Sequence, residues 1–247
     1  MYHVAWYGKP DCAEVQIPMQ IFYGHLVAFI AHGSMFIIAL TLVAKDENDG
    51  LLVEITNTPG PSRYFRVKWL VPFFSLLSAV NHCAYLYGYR KRWIKWAEYS
   101  ISAGLMFVLV ATLSGLNDIR GLVILVGANF GLQYTGFASE GGFSEYSLPD
   151  DRPHYNDEVP LFTGFCIFGC MQGATLVAYI TTVIHKTGIP PMVHVIVSAI
   201  TIAMSAFGVV ATLKVSDTRR EWLYILLSLT SKTFLANAVL FGSLRPE

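Results

Sequence analysis

Seven apolar stretches joined by mostly short polar connections limit this sequence more than any other feature it has. They run near residues 20–44, 66–89, 94–114, 119–138, 160–185, 190–213 and 221–243 of 247. Each can cross a hydrocarbon core about 30 Å thick at roughly 1.5 Å of rise per helical residue. Lipid offers no hydrogen-bond partners, so such segments must satisfy their own backbone, as helices do. Charged residues make up 14% of the chain, against about a quarter in an ordinary soluble domain. The expected fold class is an all-α membrane protein, a bundle of seven transmembrane helices forming a single domain over 1–247. No period of roughly 20–50 residues recurs, which excludes a repeat array.

Net charge is zero, so nothing points to a nucleic-acid surface or an acidic substrate. Three of the four cysteines, Cys83, Cys166 and Cys170, sit in apolar stretches, and disulfides are not expected there; Cys12 precedes the first stretch. Cys166 and Cys170 are one helical turn apart, but no further metal ligand is near, so they read as packing residues and no metal is expected. The first twenty residues lack the basic, apolar and small-residue sequence of a signal peptide.

Two connections are long. The first, 45–65, carries LLVEITN and then TPGPS, a strand and turn pattern that predicts a short β-hairpin-like first extracellular loop. The other, 139–159, is acidic and rich in turn formers, and reads as an irregular surface loop. Short loops rich in Lys and Arg stay in the cytoplasm. Arg90, Lys91, Arg92 and Lys95 crowd the second loop, with Lys214, Arg219 and Arg220 in the sixth, whereas the opposite short loops hold only Arg120 and Lys186. This predicts a plasma-membrane protein with a cytoplasmic N-terminus and an extracellular C-terminus. Lys45, Arg63, Arg66 and Lys68, near the ends of the long first loop, pull the other way.

Well inside the stretches stand two unambiguous charges, Glu98 and Lys232. Ionisable groups at such depth are costly enough to be presumed functional. His25, His82 and Glu98 fall roughly 6–11 Å below the cytoplasmic face, in one layer. Lys232 is deeper, at roughly 16 Å, but helical side chains lean toward their own N-terminus, which brings its nitrogen back toward that layer. Glu98 and Lys232 are expected to meet. Ser228, one turn before the lysine, and Ser231 beside it need hydrogen-bond partners in lipid.

One reading of these residues is a structural Lys–Glu pair in a pigment-free transporter or scaffold. Against it, a buried ion pair often stabilises no better than apolar residues of similar volume. The other reading uses the lysine as a nucleophile. A desolvated amine stays partly neutral and can form a Schiff base with an aldehyde. The protonated imine then needs a carboxylate, for which Glu98 is the candidate.

The strings SLTSKTFLAN, WAEYSISAGLM and NHCAYLYG resemble the heliorhodopsins, microbial retinal proteins distinct from the light-driven pumps, and the likeness covers essentially the whole chain. It implies a rhodopsin-like bundle, a photoreceptor rather than an enzyme, and all-trans retinal bound covalently to Lys232 with Glu98 as counterion. By the same resemblance His25 and His82 line a polar, water-holding cavity, and Ser228 bonds near the imine with Ser231 beside it. Tyr99, Ser102, Met106, Asn129 and Phe207 become pocket residues, whereas Phe165 and Phe168 read as plain core. A homodimer is implied too, and a sensor further needs a signalling partner.

The mechanism expected is a light-driven displacement of the imine relative to Glu98, with a proton held near His25 and His82 and returned to the same side. A pump needs proton carriers on both sides of the imine, and the outer halves of the stretches offer almost none; Asp118 reads as a solvated loop acid. A light-gated proton or ion channel is the nearest alternative, with Glu98, His25, His82 and Glu140 as its wire. Glu140 itself reads either as solvated surface or as the mouth of that path.

Overall fold

The structure, a computed structural model, describes residues 18–45, 52–56, 63–89, 92–140, 158–185, 189–213 and 215–242. Seven helices follow one another: α1 Met19–Lys45, α2 Leu70–Leu86, α3 Arg92–Leu113, α4 Ile119–Ser139, α5 Glu158–His185, α6 Pro191–Thr212 and α7 Asp217–Asn237. All seven are long and apolar enough to cross a membrane, α2 and α7 with the short turns that flank them. The chain is thus an integral membrane protein. Cys12, the N-terminal segment, Arg90, Lys91, Lys186, Lys214 and most of the 139–159 connection lie outside the described residues.

Local chemistry sets several helix ends. Asp118 is extended at the start of α4 and its carboxylate accepts from Gly121 N at 2.9 Å, which satisfies one of the donors a helix start leaves open. Ser216 does the same for α7 through Arg219 N. Pro191 opens α6, where a missing N–H costs nothing. After α3 the chain reverses through Gly115 at φ 91°, a conformation that glycine adopts without strain. A Cβ there would also strike the Thr182 side chain.

Each helix packs on its sequence neighbour, and α7 returns to close on α1. In the most apolar 18 residues of each span, 56% are buried for α2, for α3 and for α7 with the turn that follows it, against 17–28% for α1, α4, α5 and α6. Hence α2, α3 and α7 form the middle of the bundle, and any polar site they share is shielded from lipid. The core runs through Phe74, Met106, Leu109, Ile196, Leu235 and Val239, all fully buried. Ile37, Ile124, Phe162 and Ile202 face outward, which costs nothing against lipid tails that are as apolar as they are.

The first connection requires a correction. Two four-residue strands, β1 Leu52–Ile55 and β2 Arg63–Arg66, pair antiparallel with Leu52 opposite Arg66. The turn of a hairpin would fall on 57–62, outside the described residues. The strand pair is also no free loop. β2 passes straight into a 3₁₀ turn, Val67–Trp69, and then α2, while Thr56 bridges Asp118 and accepts at its carbonyl from Ile119 N at 3.1 Å. Among the described residues the first connection is therefore a strand pair built onto α2 and α4 rather than a hairpin loop, and the fold class is the seven-helix bundle. A second difference concerns Cys166 and Cys170. Both are exposed, unpaired and on the outward side of α5 rather than packed in the core.

Candidate functional site

Lys232 of α7 and Glu98 of α3 are 4% and 7% exposed. The lysine Nζ donates to Glu98 Oε1 at 2.6 Å and contacts Ser78 Oγ at 2.6 Å. Ser78 in turn donates to the same Glu98 oxygen at 2.7 Å. The ammonium stands 5.5 Å from the Tyr99 ring centroid, within range of a cation–π attraction. Burial strengthens every one of these contacts and makes breaking any of them expensive. Ser78 does not stand out in the sequence, where it is one of many helical serines. Its signal is position, one turn before His82 on the same face of α2.

The histidines form a second cluster. His25 Nδ1 and His82 Nδ1 are 2.8 Å apart, one donating and the other accepting. His25 stacks on Tyr85 at 4.4 Å between centroids. His32, equally inconspicuous in the sequence, lies parallel to His82 at 5.6 Å between centroids. It lies seven residues after His25, which puts it on the same helix face.

Beside the ion pair lies a partly open cavity. Tyr99, Ser102, Met106, Phe207, Ser228, Ser231 and Lys232 all line it. Glu98, His25 and His82 do not; the carboxylate and the imidazoles belong to the polar cluster reached through Lys232. Asn129 is also absent from the wall. It is fully buried, and its Nδ2 donates to the Ser100 carbonyl at 2.7 Å, so the amide is spent on holding α4 to α3. Phe165 and Phe168, read as plain core, do line the cavity. Nothing in an apolar helix distinguishes a ring facing a cavity from one facing another ring.

Trp96 and Tyr224 complete the aromatic wall. Phe207 stacks on Tyr224 at 6.1 Å, and Trp96 meets Tyr99 edge-on at 5.8 Å. Gly136 leaves room for the indole, which a Cβ at that position would overlap. Trp96 Nε1 donates to Glu140 at 3.0 Å. Glu140, directly after α4, is not a solvated loop acid. It pairs at 3.0 Å with the buried Lys95 of α3, which also holds Glu221 of α7 at 3.1 Å.

The sequence profile of the family described as Heliorhodopsin matches residues 18–244. The chain belongs to the heliorhodopsin family. Proteins of this family are light receptors and not enzymes. The fold is shared more widely. A cyanorhodopsin from the cyanobacterium Tolypothrix sp. superposes with a TM-score of 0.71 at 10% identity, over 92% of this chain and 96% of that one. For the light-driven proton pump of Coccomyxa subellipsoidea the TM-score is 0.70 at 10% identity, over 92% and 98%. For halorhodopsin, a light-driven chloride pump, it is 0.67 at 12% identity, over 91% and 95%. At these identities the likeness establishes the fold alone, and a fold shared with pumps does not decide transport. No curated protein sequence matches the chain.

Proposed function

We propose that this heliorhodopsin-family protein is a light-sensing photoreceptor that carries all-trans retinal as a protonated imine on Lys232, with Glu98 as counterion, and does not pump ions. The observation that carries this reading is the position of Lys232. It forms part of the wall of an aromatic cavity while its Nζ lies 2.6 Å from a buried carboxylate.

The residues present fit the group. Rings and thioethers make much of the cavity wall, and the surface it presents is mostly apolar, as an apolar polyene requires. Two of its polar members, Ser102 Oγ and Ser228 Oγ, are buried without a hydrogen-bond partner among the described residues, which leaves these hydroxyls free to bond to the imine end of the chromophore. Tyr99, Met106, Phe207 and Ser231 would bound the chromophore with Phe165 and Trp96. Bound retinal supplies light absorption and an isomerisation that moves the imine N–H.

The chain's own groups account for the rest. Glu98 holds the positive charge at Lys232, and Ser78 keeps the carboxylate oriented. His25 and His82, joined by one hydrogen bond, can take and return a proton. Two partly buried carboxylates of the described residues, Glu140 and Glu221, are committed to Lys95 at the end where α3 and α7 begin. That arrangement supports sensing over pumping, since vectorial transport needs carriers on both sides of the imine. A homodimer in the plasma membrane, N-terminus in the cytoplasm, belongs to the same reading, on the family resemblance and the loop charges; the helices would report the state to a signalling partner.

Reconstitution with all-trans retinal tests it, with spectroscopy and current recording under illumination. A coloured, hydroxylamine-sensitive protein without photocurrent is expected. A colourless protein would return Lys232 and Glu98 to a structural pair. A current that reverses with driving force would make the chain a light-gated channel.

A further inference from the structure

Three buried imidazoles rather than two stand in the polar cluster. His32 is 1% exposed, its ring plane is within 5° of that of His82, and its Nε2 has no hydrogen-bond partner among the described residues. The His25–His82 bond fixes the register of α1 against the antiparallel α2. Seven residues forward from His25 is His32, and seven residues back from His82 is Ser75, so these two share a level. Ser75 is equally buried, at 1% exposed, and its Oγ also lacks a partner among the described residues. Between the two levels lies Ser78, the hydroxyl that holds Lys232 and Glu98.

A histidine that served only to pack would be expected to satisfy its ring nitrogens, because an orphaned polar atom in a dry interior costs free energy. Two such atoms at one level, next to an imidazole pair, call for a chemical use. We infer that His32 is a third proton-holding group of this site, loaded through His82, so that a displaced proton is kept on an array of three imidazoles. The retinal reading above supplies the source of the proton; the array itself does not depend on it.

The step balances within the protein. The His82 imidazolium gives up one N–H proton and becomes neutral, and the neutral His32 ring gains it and becomes the cation. Parallel rings at 5.6 Å do not bond directly, so the proton crosses over a hydroxyl or a water, and the hydroxyls of Ser75 and Ser78 lie on this stretch of α2. The titratable groups facing His32 are His82 on α2, with His25 of its own helix bonded behind it, and Lys232 on α7, which is itself paired with Glu98 of α3. Lys232 and Glu98 offset each other, so the array tolerates one positive charge and resists a second.

Histidine ¹⁵N NMR of the full chain in nanodiscs, without retinal, tests the array. The His32 and His82 ring signals are expected to move together through a pH series. His82→Phe should then displace the His32 midpoint by about half a pH unit or more, the size of one lost neighbour interaction. A His32 ring fixed in one tautomer throughout, or untouched by His82→Phe, overturns the inference. In the pigment, His32→Phe keeps an aromatic ring in the stack. It should change the recovery time of the visible absorption after a flash by about threefold or more, the effect of one hydrogen-bond-sized interaction. Recovery at the parent's rate overturns the inference as well. Should His32→Phe not fold, His32→Asn replaces it. If the parent takes up no retinal, the retinal reading fails by itself, and the NMR series still decides the array.

Discussion

The Ser78 hydroxyl donates a 2.7 Å hydrogen bond to the same Glu98 oxygen that Lys232 holds at 2.6 Å. Three helices, α2, α3 and α7, thus meet at one carboxylate oxygen. Ser78→Ala leaves the ion pair in place but removes a buried bond to a charged group. Stability is expected to fall by about 1.5–3 kcal/mol, with pigment retained, as read by thermal melting of the retinal-bound protein.

Lys232→Ala removes the amine on which an imine can form. No visible absorption is expected after incubation with all-trans retinal, and hydroxylamine should bleach nothing. Pigment at the parent's level would refute the assignment of the lysine.

Glu98→Gln keeps the shape of the side chain and takes away its charge. With the counterion weakened, the absorption of the pigment should move to longer wavelength, measured in detergent against the parent. An unshifted spectrum would mean that another group balances the imine.

Gly136 is where the backbone of α4 passes the Trp96 indole. Gly136→Ala drives a methyl group into that ring, so the indole must leave both the cavity wall and Glu140. Overpacking of this kind costs about 1–3 kcal/mol. Both a lower melting temperature and a lower pigment yield are expected.

Lys95 neutralises two carboxylates, Glu140 and Glu221, within 3.1 Å. Lys95→Met strands both and should destabilise the protein by about 3–5 kcal/mol. The triple variant that also carries Glu140→Gln and Glu221→Gln should recover much of that loss, since the desolvated charges go with the lysine. Equal melting temperatures for the single and triple variants would show that the cluster is too well solvated to matter.

Much of the site is legible in the amino-acid sequence. Lipid makes charge expensive, so Glu98 and Lys232 stand out from their apolar surroundings, and their side-chain lengths and depths bring them to one layer. Ser78 and Ser75 stand out less, since a serine can bond its own helix backbone, and His32 lies seven residues beyond His25, outside the layer in which the sequence places His25, His82 and Glu98. Glu140 is ambiguous in the sequence because its partner, Lys95, is 45 residues away. Asn129 and Phe165 fall on the wrong sides of a wall for a related reason: hydropathy counts what a helix contains but does not say how it is turned.

From the sequence alone follow the solvent, the number of crossings and the lysine that stands out deep in an apolar stretch, because each depends on transfer free energies summed along a segment. The packed fold was needed to settle which faces look inward, and with them the Ser78 bridge, the third imidazole and the anchoring of Trp96. Helix rotation and register are set by side chains interlocking between segments far apart in the chain, and no sum taken along one segment contains that information.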